Sequence, residues 1–218
     1  MTRESFDTFI FDLDGTLLNT LDDLAASVNY ALQELHQKVH STDDIRRFLG
    51  NGAQKLIERS VEGGIQNPLF SEIEQLFRTH YLQHSLDNTQ PYPGVIQMLE
   101  ALQQRKKNIA VVSNKFYAAT QQLCRHFFSG FVDVAIGERA DIRKKPAPDT
   151  VLEALSQLRA DKTSAVYIGD SEVDIETARN CGLPCISVLW GFRDKNFLKE
   201  SGATCFVEHP LQILEFIR

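Results

Sequence analysis

Short apolar runs rich in β-branched residues recur along this chain at Thr8 to Leu13, Asn108 to Ser113, Val132 to Ile136, Ala165 to Gly169 and Cys185 to Leu189, with a weaker one at Thr204 to Val207. Each reads as a strand buried on both faces. Between the later runs, apolar residues fall at helical spacing: Val95, Met98, Leu99 and Leu102; Val151, Leu152, Leu155 and Leu158; then Ile175 and Ala178 within SEVDIETARNCG, closed by Gly182. Strand and helix alternate. That order implies βαβ units with right-handed crossovers, and so an α/β sandwich around a mostly parallel sheet.

One segment breaks the rhythm. Residues 17 to 90 hold no convincing strand and several helix patterns, the clearest being Leu21, Leu24, Val28, Leu32 and Leu35. A crossover needs one helix, so the surplus reads as an inserted helical subdomain. Two prolines and a glycine in PYPG, Pro91 to Gly94, mark the return. The expected organisation is an α/β core of residues 1–16 and 91–218 with a helical insertion over 17–90.

Length and charge exclude some functions. With 218 residues, 43% of them hydrophobic, the chain can bury one core and a modest second one. Its formal charge of 23 − 29 = −6 argues against a phosphate-backbone binder, so nucleic acid is not an expected partner. Cys124, Cys181, Cys185 and Cys205 form no CxxC pair and read as reduced, mostly buried thiols. The first apolar run is too short and too quickly charged for a signal peptide, and no stretch approaches membrane-spanning length. A cytoplasmic location without membrane contact is the expectation.

Polar residues collect where the strands end. In open parallel sheets ligands bind at the carboxyl ends of strands. Past the first strand come Asp12, Asp14, Gly15 and Thr16; past the second, Ser113, Asn114 and Lys115; before a later helix, Lys144 and Lys145; past the fourth, Gly169, Asp170, Ser171 and Asp174. Alternation would set Asp12 and Asp14 on one side of the sheet, and four carboxylates at one edge need protons or a cation. An all-oxygen set without His or Cys suits Mg²⁺, which is commonly held by carboxylates together with a substrate phosphate. Lys145 and the Ser113 hydroxyl are then candidates for the remaining phosphoryl oxygens, and one carboxylate is left over as a nucleophile.

DLDGT at 12–16, VVSN at 111–114, KKP at 144–146 and GDSEVD at 169–174 resemble, in order and spacing, the four motifs of the haloacid dehalogenase superfamily. The resemblance implies a three-layer α/β sandwich with a mostly parallel Rossmann-like sheet and an inserted all-helical cap. It implies that Asp12 is a nucleophile forming an aspartyl-phosphate, and that Asp14 is the acid and then the base. It further implies that Asp12 and Asp170 ligate Mg²⁺ through carboxylates and Asp14 through its backbone carbonyl, with Asp174 supporting the metal and Lys145 steadying nucleophile and phosphoryl group. Thr16, Ser113 and Asn114 are the expected substrate contacts of the core. Haloacid dehalogenases and phosphonate hydrolases lack an aspartate at the position of Asp14, so phosphate-ester hydrolysis is favoured. Phosphosugar mutases share both aspartates and remain an alternative.

The cap carries a second resemblance. FLGNGAQKLIERSV, residues 48–61, is similar to the glycine-bearing cap stretch of bacterial phosphoglycolate phosphatases. Gly50, Asn51 and Gly52 form a turn ahead of a helix whose amides could attract a substrate carboxylate, with Lys55 or Arg59 nearby; an ordinary turn and helix start explains them equally well. Gly52 and Arg59 are therefore the cap's substrate-contact candidates, and 2-phosphoglycolate the leading substrate. Asn19 stands where many relatives carry aspartate in DGTLxDS.

Other residues have plainer readings. His80 and His84, one helical turn apart, lack the glutamate of an HExxH pattern and read as a solvated helix face. Lys144 reads as a surface neighbour of Lys145, and Trp190 as a site wall or packing residue. RKK at 105–107 reads as a helix C-terminus. Two other classes stay in view: a phosphoacceptor signalling module, in which a helical cap has no purpose, and a non-catalytic binding protein, against which the filled motifs count. The expected partner is a small phosphorylated metabolite, and the expected state a monomer or homodimer.

Overall fold

The computed structural model describes residues 5–217; residues 1–4 and 218, the ends of the expected core segments, lie outside the described residues. Its centre is the first apolar run. β1 (Thr8–Phe11) is buried throughout. Phe9 and Phe11 pack into one apolar layer and Ile10 into the opposite one, so a single strand supplies both faces of the sheet.

Six parallel strands form the sheet in the order β5 (Val134–Glu138), β4 (Asn108–Phe116), β1, β6 (Ala165–Gly169), β7 (Cys185–Val188), β8 (Phe206–Val207). Strand order reverses on either side of β1, which places a topological switch point, with its crevice, at the carboxyl end of that strand. Helices α5 (Val95–Gln104), α6 (Tyr117–Phe128), α7 (Asp149–Leu158) and α8 (Glu172–Cys181) connect the strands, and α9 (Lys195–Glu200) precedes the last. As expected, Gly182 ends α8 in the left-handed conformation and Arg105 caps α5.

The segment after β1 contains α1 (Leu21–Glu34), α2 (Thr42–Phe48), α3 (Ala53–Ser60) and α4 (Phe70–His84). They bury an apolar cluster of their own, with Leu24, Val28, Leu32, Ile45, Leu56, Ile57, Phe77 and Tyr81 at its centre. The sequence reading of no strand here needs correction at the stem. β2 (Leu18–Asn19) pairs antiparallel with β3 (Gln90–Pro91), so a two-residue ribbon joins the outgoing and returning chain. Asp23, in the first turn of α1, reinforces that joint. Its buried carboxylate accepts from the backbone and side chain of both Asn88 and Thr89, at 2.7–3.1 Å.

His80 and His84, read as a solvated helix face, are half-buried at the surface and stack with the exposed Tyr30. Tyr30 stacks on His80 with ring centroids 4.1 Å apart, and His80 on His84 at 4.2 Å. His80 Nδ1 also lies 3.0 Å from Ser27 Oγ. Cys124 and Cys181 are buried free thiols. Among the described residues no helix is long and apolar enough to cross a membrane.

Candidate active site

Beyond Phe11 the chain bonds to β6 once more, Asp12 N donating to Ile168 O, and then curls back on itself. The amides of Leu17 and Leu18 both donate to Leu13 O, and Gly15 N donates to Leu18 O. Gly15 makes the curl possible: its φ is +83°, and a Cβ there would sit 2.4 Å from Asp170 Oδ2. The tight loop separates the two aspartates of the opening motif rather than crowding them together.

Asp12 faces Lys145, with Nζ 2.9 Å from Oδ1, and also accepts from the Leu13 amide. Lys145 Nζ lies 2.8 Å from Asp174 Oδ1 and donates to the Tyr167 hydroxyl at 3.0 Å. Asp174 is in turn fixed by the amide and hydroxyl of Ser171, at 3.1 and 2.7 Å. Asp170 accepts from Thr16 Oγ1 at 3.2 Å and Phe192 N at 2.7 Å. Asp12, Asp170 and Asp174 offer carboxylate oxygens that all lie within 4.8 Å of one another. Asp14 turns elsewhere, accepting from Lys115 Nζ at 2.9 Å and Thr20 Oγ1 at 2.7 Å.

This packing has an electrostatic signature. Burial pushes the Asp12 carboxyl up to about 7 against the pull of Lys145, with Asp174 and Asp14 adding repulsion. Burial and then Asp174 and Asp12 hold Asp170 well above the usual carboxylate range. Burial opposes the Lys145 charge, yet Asp12 and Asp174 outweigh it and keep the ammonium protonated. Three carboxylates therefore crowd together, two of them sharing one buried lysine, and make an all-oxygen donor set short of positive charge. A hard divalent cation fits that set by charge and by chemistry.

A cleft of about 610 Å³, its open mouth included, lies over these groups. Asp12, Asp14, Ser113, Asn114, Lys115 and Asp170 form its floor. Leu24, Leu49, Leu56 and Phe77 of the helical insertion, with Phe116 and Phe192, form apolar walls. Gly52 and Arg193 make two of the contacts that seat the insertion on the core. Gly52 caps α3 at φ +85°, and a Cβ there would come within 3.0 Å of Asn114 O, so only glycine permits this approach. Arg193 donates to Arg46 O at 3.1 Å and Leu49 O at 2.7 Å while its Nε bonds Glu172 at 3.2 Å.

The structure gathers Asp12, Asp14, Ser113, Asn114, Gly52 and Asp170 around the cleft, with Lys145 and Asp174 directly beneath. Two expected contacts point elsewhere. Thr16 is buried and spends its hydroxyl on Asp170. Arg59 braces the turn before α3, donating to Phe48 O and Asn51 Oδ1, both at 2.7 Å, and does not line the cleft. Lys144 pairs with Glu138 at 3.2 Å, and the Trp190 indole donates to Thr16 O at 2.9 Å. Sequence reasoning placed Lys115 in the polar strand-end set without a role of its own and gave none to Tyr167 or Arg193. Lys115 directly follows the SN pair on a strand end, a signal that was available; Tyr167 reads as strand core and Arg193 as loop.

Residues 9–188 match the family described as haloacid dehalogenase-like hydrolase. The chain belongs to that family. It is 32% identical over 184 residues to the phosphoglycolate phosphatase of Aquifex aeolicus, covering 84% of each protein. It is 33% identical over 193 residues to the phosphoglycolate phosphatase of Caulobacter vibrioides, covering 86% of this chain and 81% of that one. A crystal structure of a Lactobacillus delbrueckii subsp. bulgaricus protein superposes with a TM-score of 0.91 at 34% identity, over 97% of this chain and 98% of that one. Like these relatives, this haloacid dehalogenase-like chain is a hydrolase of the phosphatase kind.

Proposed function

We propose that this hydrolase cleaves small phosphate monoesters by way of an aspartyl-phosphate on Asp12, with 2-phosphoglycolate as its leading substrate. One observation carries the reading: a buried carboxylate, Asp12, is held by Lys145 on the floor of a small cleft beside a second, independently anchored carboxylate, Asp14. The curated relatives named phosphoglycolate phosphatase support the substrate.

Asp12 attacks phosphorus while Asp14 gives its proton to the departing alkoxide, so the P–O ester bond breaks as the acyl-phosphate bond forms. Asp14, now ionised, takes a proton from water, whose oxygen attacks phosphorus and frees Asp12 and orthophosphate. Lys145 balances charge on Asp12 and on the phosphoryl oxygens, with Ser113 and Asn114 supplying polar contacts. Mg²⁺ would be held by Asp12 and Asp170, with the Asp14 carbonyl as a further ligand and Asp174 in support, and would neutralise phosphoryl charge. Apolar walls keep bulk water away from the acyl-phosphate. We read residues 17–90 as a cap domain closing over a core of residues 1–16 and 91–218, acting in the cytoplasm on a soluble metabolite.

Phosphate release from 2-phosphoglycolate, sugar phosphates and nucleoside monophosphates, with and without Mg²⁺, tests the reading. Magnesium-dependent release highest with 2-phosphoglycolate supports it. Release confined to other esters overturns the substrate, and conversion of a sugar phosphate to its isomer without release indicates a mutase.

A further inference from the structure

The cleft holds a cation to which the hydrolytic scheme above gives no role of its own. Lys115 stands at the end of β4 with its side chain only 3% exposed, yet it lines the cleft. Its ammonium lies 2.9 Å from Asp14 Oδ2 and 4.4 Å from the centre of the Tyr81 ring, which comes down from α4. Asp14 accepts from the ammonium and the Tyr81 ring faces it, on a side chain that the fold has already immobilised. Its neighbour Asn114 has a buried Oδ1 without a hydrogen-bond partner. An amide oxygen accepts, so of these two groups the Lys115 ammonium is the one that can serve an anion.

The other positive groups near the cleft are spoken for. Lys145 is held between Asp12 and Asp174. Arg193, which also lines the cleft, pairs with Glu172 through Nε and turns one N–H of each terminal nitrogen to a carbonyl of the cap. Arg59 faces away from the cleft, toward Phe48 and Asn51. The amino end of α3 is met by Glu138, whose buried Oε2 has no hydrogen-bond partner and would lie 3.4 Å from a Cβ on Gly52. A negative group there repels a substrate anion, so the amides of α3 are a poor carboxylate site. Beside a floor of aspartates and under apolar walls, Lys115 is the cation that the cleft floor itself offers to a second anion on the substrate.

We propose that Lys115 determines specificity by binding a carboxylate carried on the alcohol part of the substrate, so that the cleft selects short phosphorylated acids over neutral phosphorylated alcohols. This rests on the hydrolase reading above and deepens it. The carboxylate ion-pairs with Lys115 while its phosphoryl group is presented to Asp12. A neutral alcohol leaves the buried ammonium with Asp14 as its sole counterion and gains no charge-assisted hydrogen bond. A site built for a charged partner rejects an analogue lacking it far more strongly than an apolar pocket rejects a missing methylene.

The test compares 2-phosphoglycolate with 2-hydroxyethyl phosphate, in which a neutral hydroxymethyl replaces the carboxylate, for the wild type, Lys115→Met and Lys115→Gln. The wild type should favour the acid by about 100-fold in kcat/KM. In both variants that ratio should fall below about 10, with the loss for the acid carried mainly by KM. Equal losses for the two esters would overturn the proposal, because they would mean that Lys115 serves only to hold Asp14. Should neither variant fold, the wild type decides: equal kcat/KM for the two esters overturns the proposal, and stronger inhibition by phosphonoacetate than by methylphosphonate supports it. If the wild type releases phosphate from neither ester, the hydrolase reading fails first and this inference with it.

Discussion

Replacing Asp12 by asparagine should abolish turnover and yet make the metal-free protein more stable at alkaline pH. The folded state raises the Asp12 carboxyl from 3.8 to about 7, chiefly by burial. The native protein therefore binds a proton that the unfolded chain has lost, and stability declines as pH climbs through that window. At 1.36 kcal/mol per pH unit, a shift of roughly three units corresponds to about 4 kcal/mol of strain once Asp12 is ionised. Asparagine has the shape of the neutral acid but forfeits the charge that Lys145 attracts at 2.9 Å, so a net gain of about 1–3 kcal/mol is expected near pH 8. For a chain of this length that is an upward shift of about 3–10 °C in Tm. Differential scanning calorimetry with a chelator present, at about pH 8 and about pH 5, reads it directly. The gain should shrink to less than half at the lower pH, where wild-type Asp12 keeps its proton. An Asp12→Asn protein no more stable than wild type near pH 8, or a gain that does not depend on pH, would refute this account of the site's charge.

The same crowding predicts that millimolar Mg²⁺ raises Tm more at about pH 8 than at about pH 5, because the ion must displace protons from Asp12 and Asp170; equal shifts would argue against binding there. Asp23→Ala strands the amides of Asn88 and Thr89 and should cost about 2–4 kcal/mol by urea unfolding, with a loss below about 1 kcal/mol counting against its place at the stem. Arg193→Ala removes both bonds from the core loop to the cap and should lower kcat/KM for the preferred ester about 10- to 100-fold while Tm moves by no more than a few degrees; unchanged kinetics would mean that the cap closes without it.

The sheet was legible because its central strands β1, β4 and β6 each contain an apolar run, and the helices between them because their apolar spacing survives in the packed layers. The stem ribbon was not. β2 and β3 contribute two residues apiece, Leu-Asn and Gln-Pro, and neither pair has a periodicity to read. Tertiary closure makes them strands. In the site, convergence of Asp12 and Asp170 followed from the ends of adjacent parallel strands, which a sheet must bring to one edge, and Lys145 joins them from the loop before α7. Side-chain direction did not follow. Spacing put Thr16 and Arg59 near the substrate, whereas the folded loop turns Thr16 onto Asp170, and the turn before α3 draws Arg59 to itself. Lys115 was visible as a residue and silent as a role, since its partner Asp14 lies 101 positions away and its aromatic neighbour Tyr81 belongs to the inserted helices.

Covalent catalysis by Asp12 is the claim on which the rest depends, and acid-quenched single turnover with substrate radiolabelled at phosphorus tests it most directly. Label should appear transiently on the chain, map to the peptide containing Asp12, be released by hydroxylamine as an acyl phosphate is, and be missing from Asp12→Asn. Phosphate release at full rate with no label on the chain, or label that persists in Asp12→Asn, would contradict the mechanism.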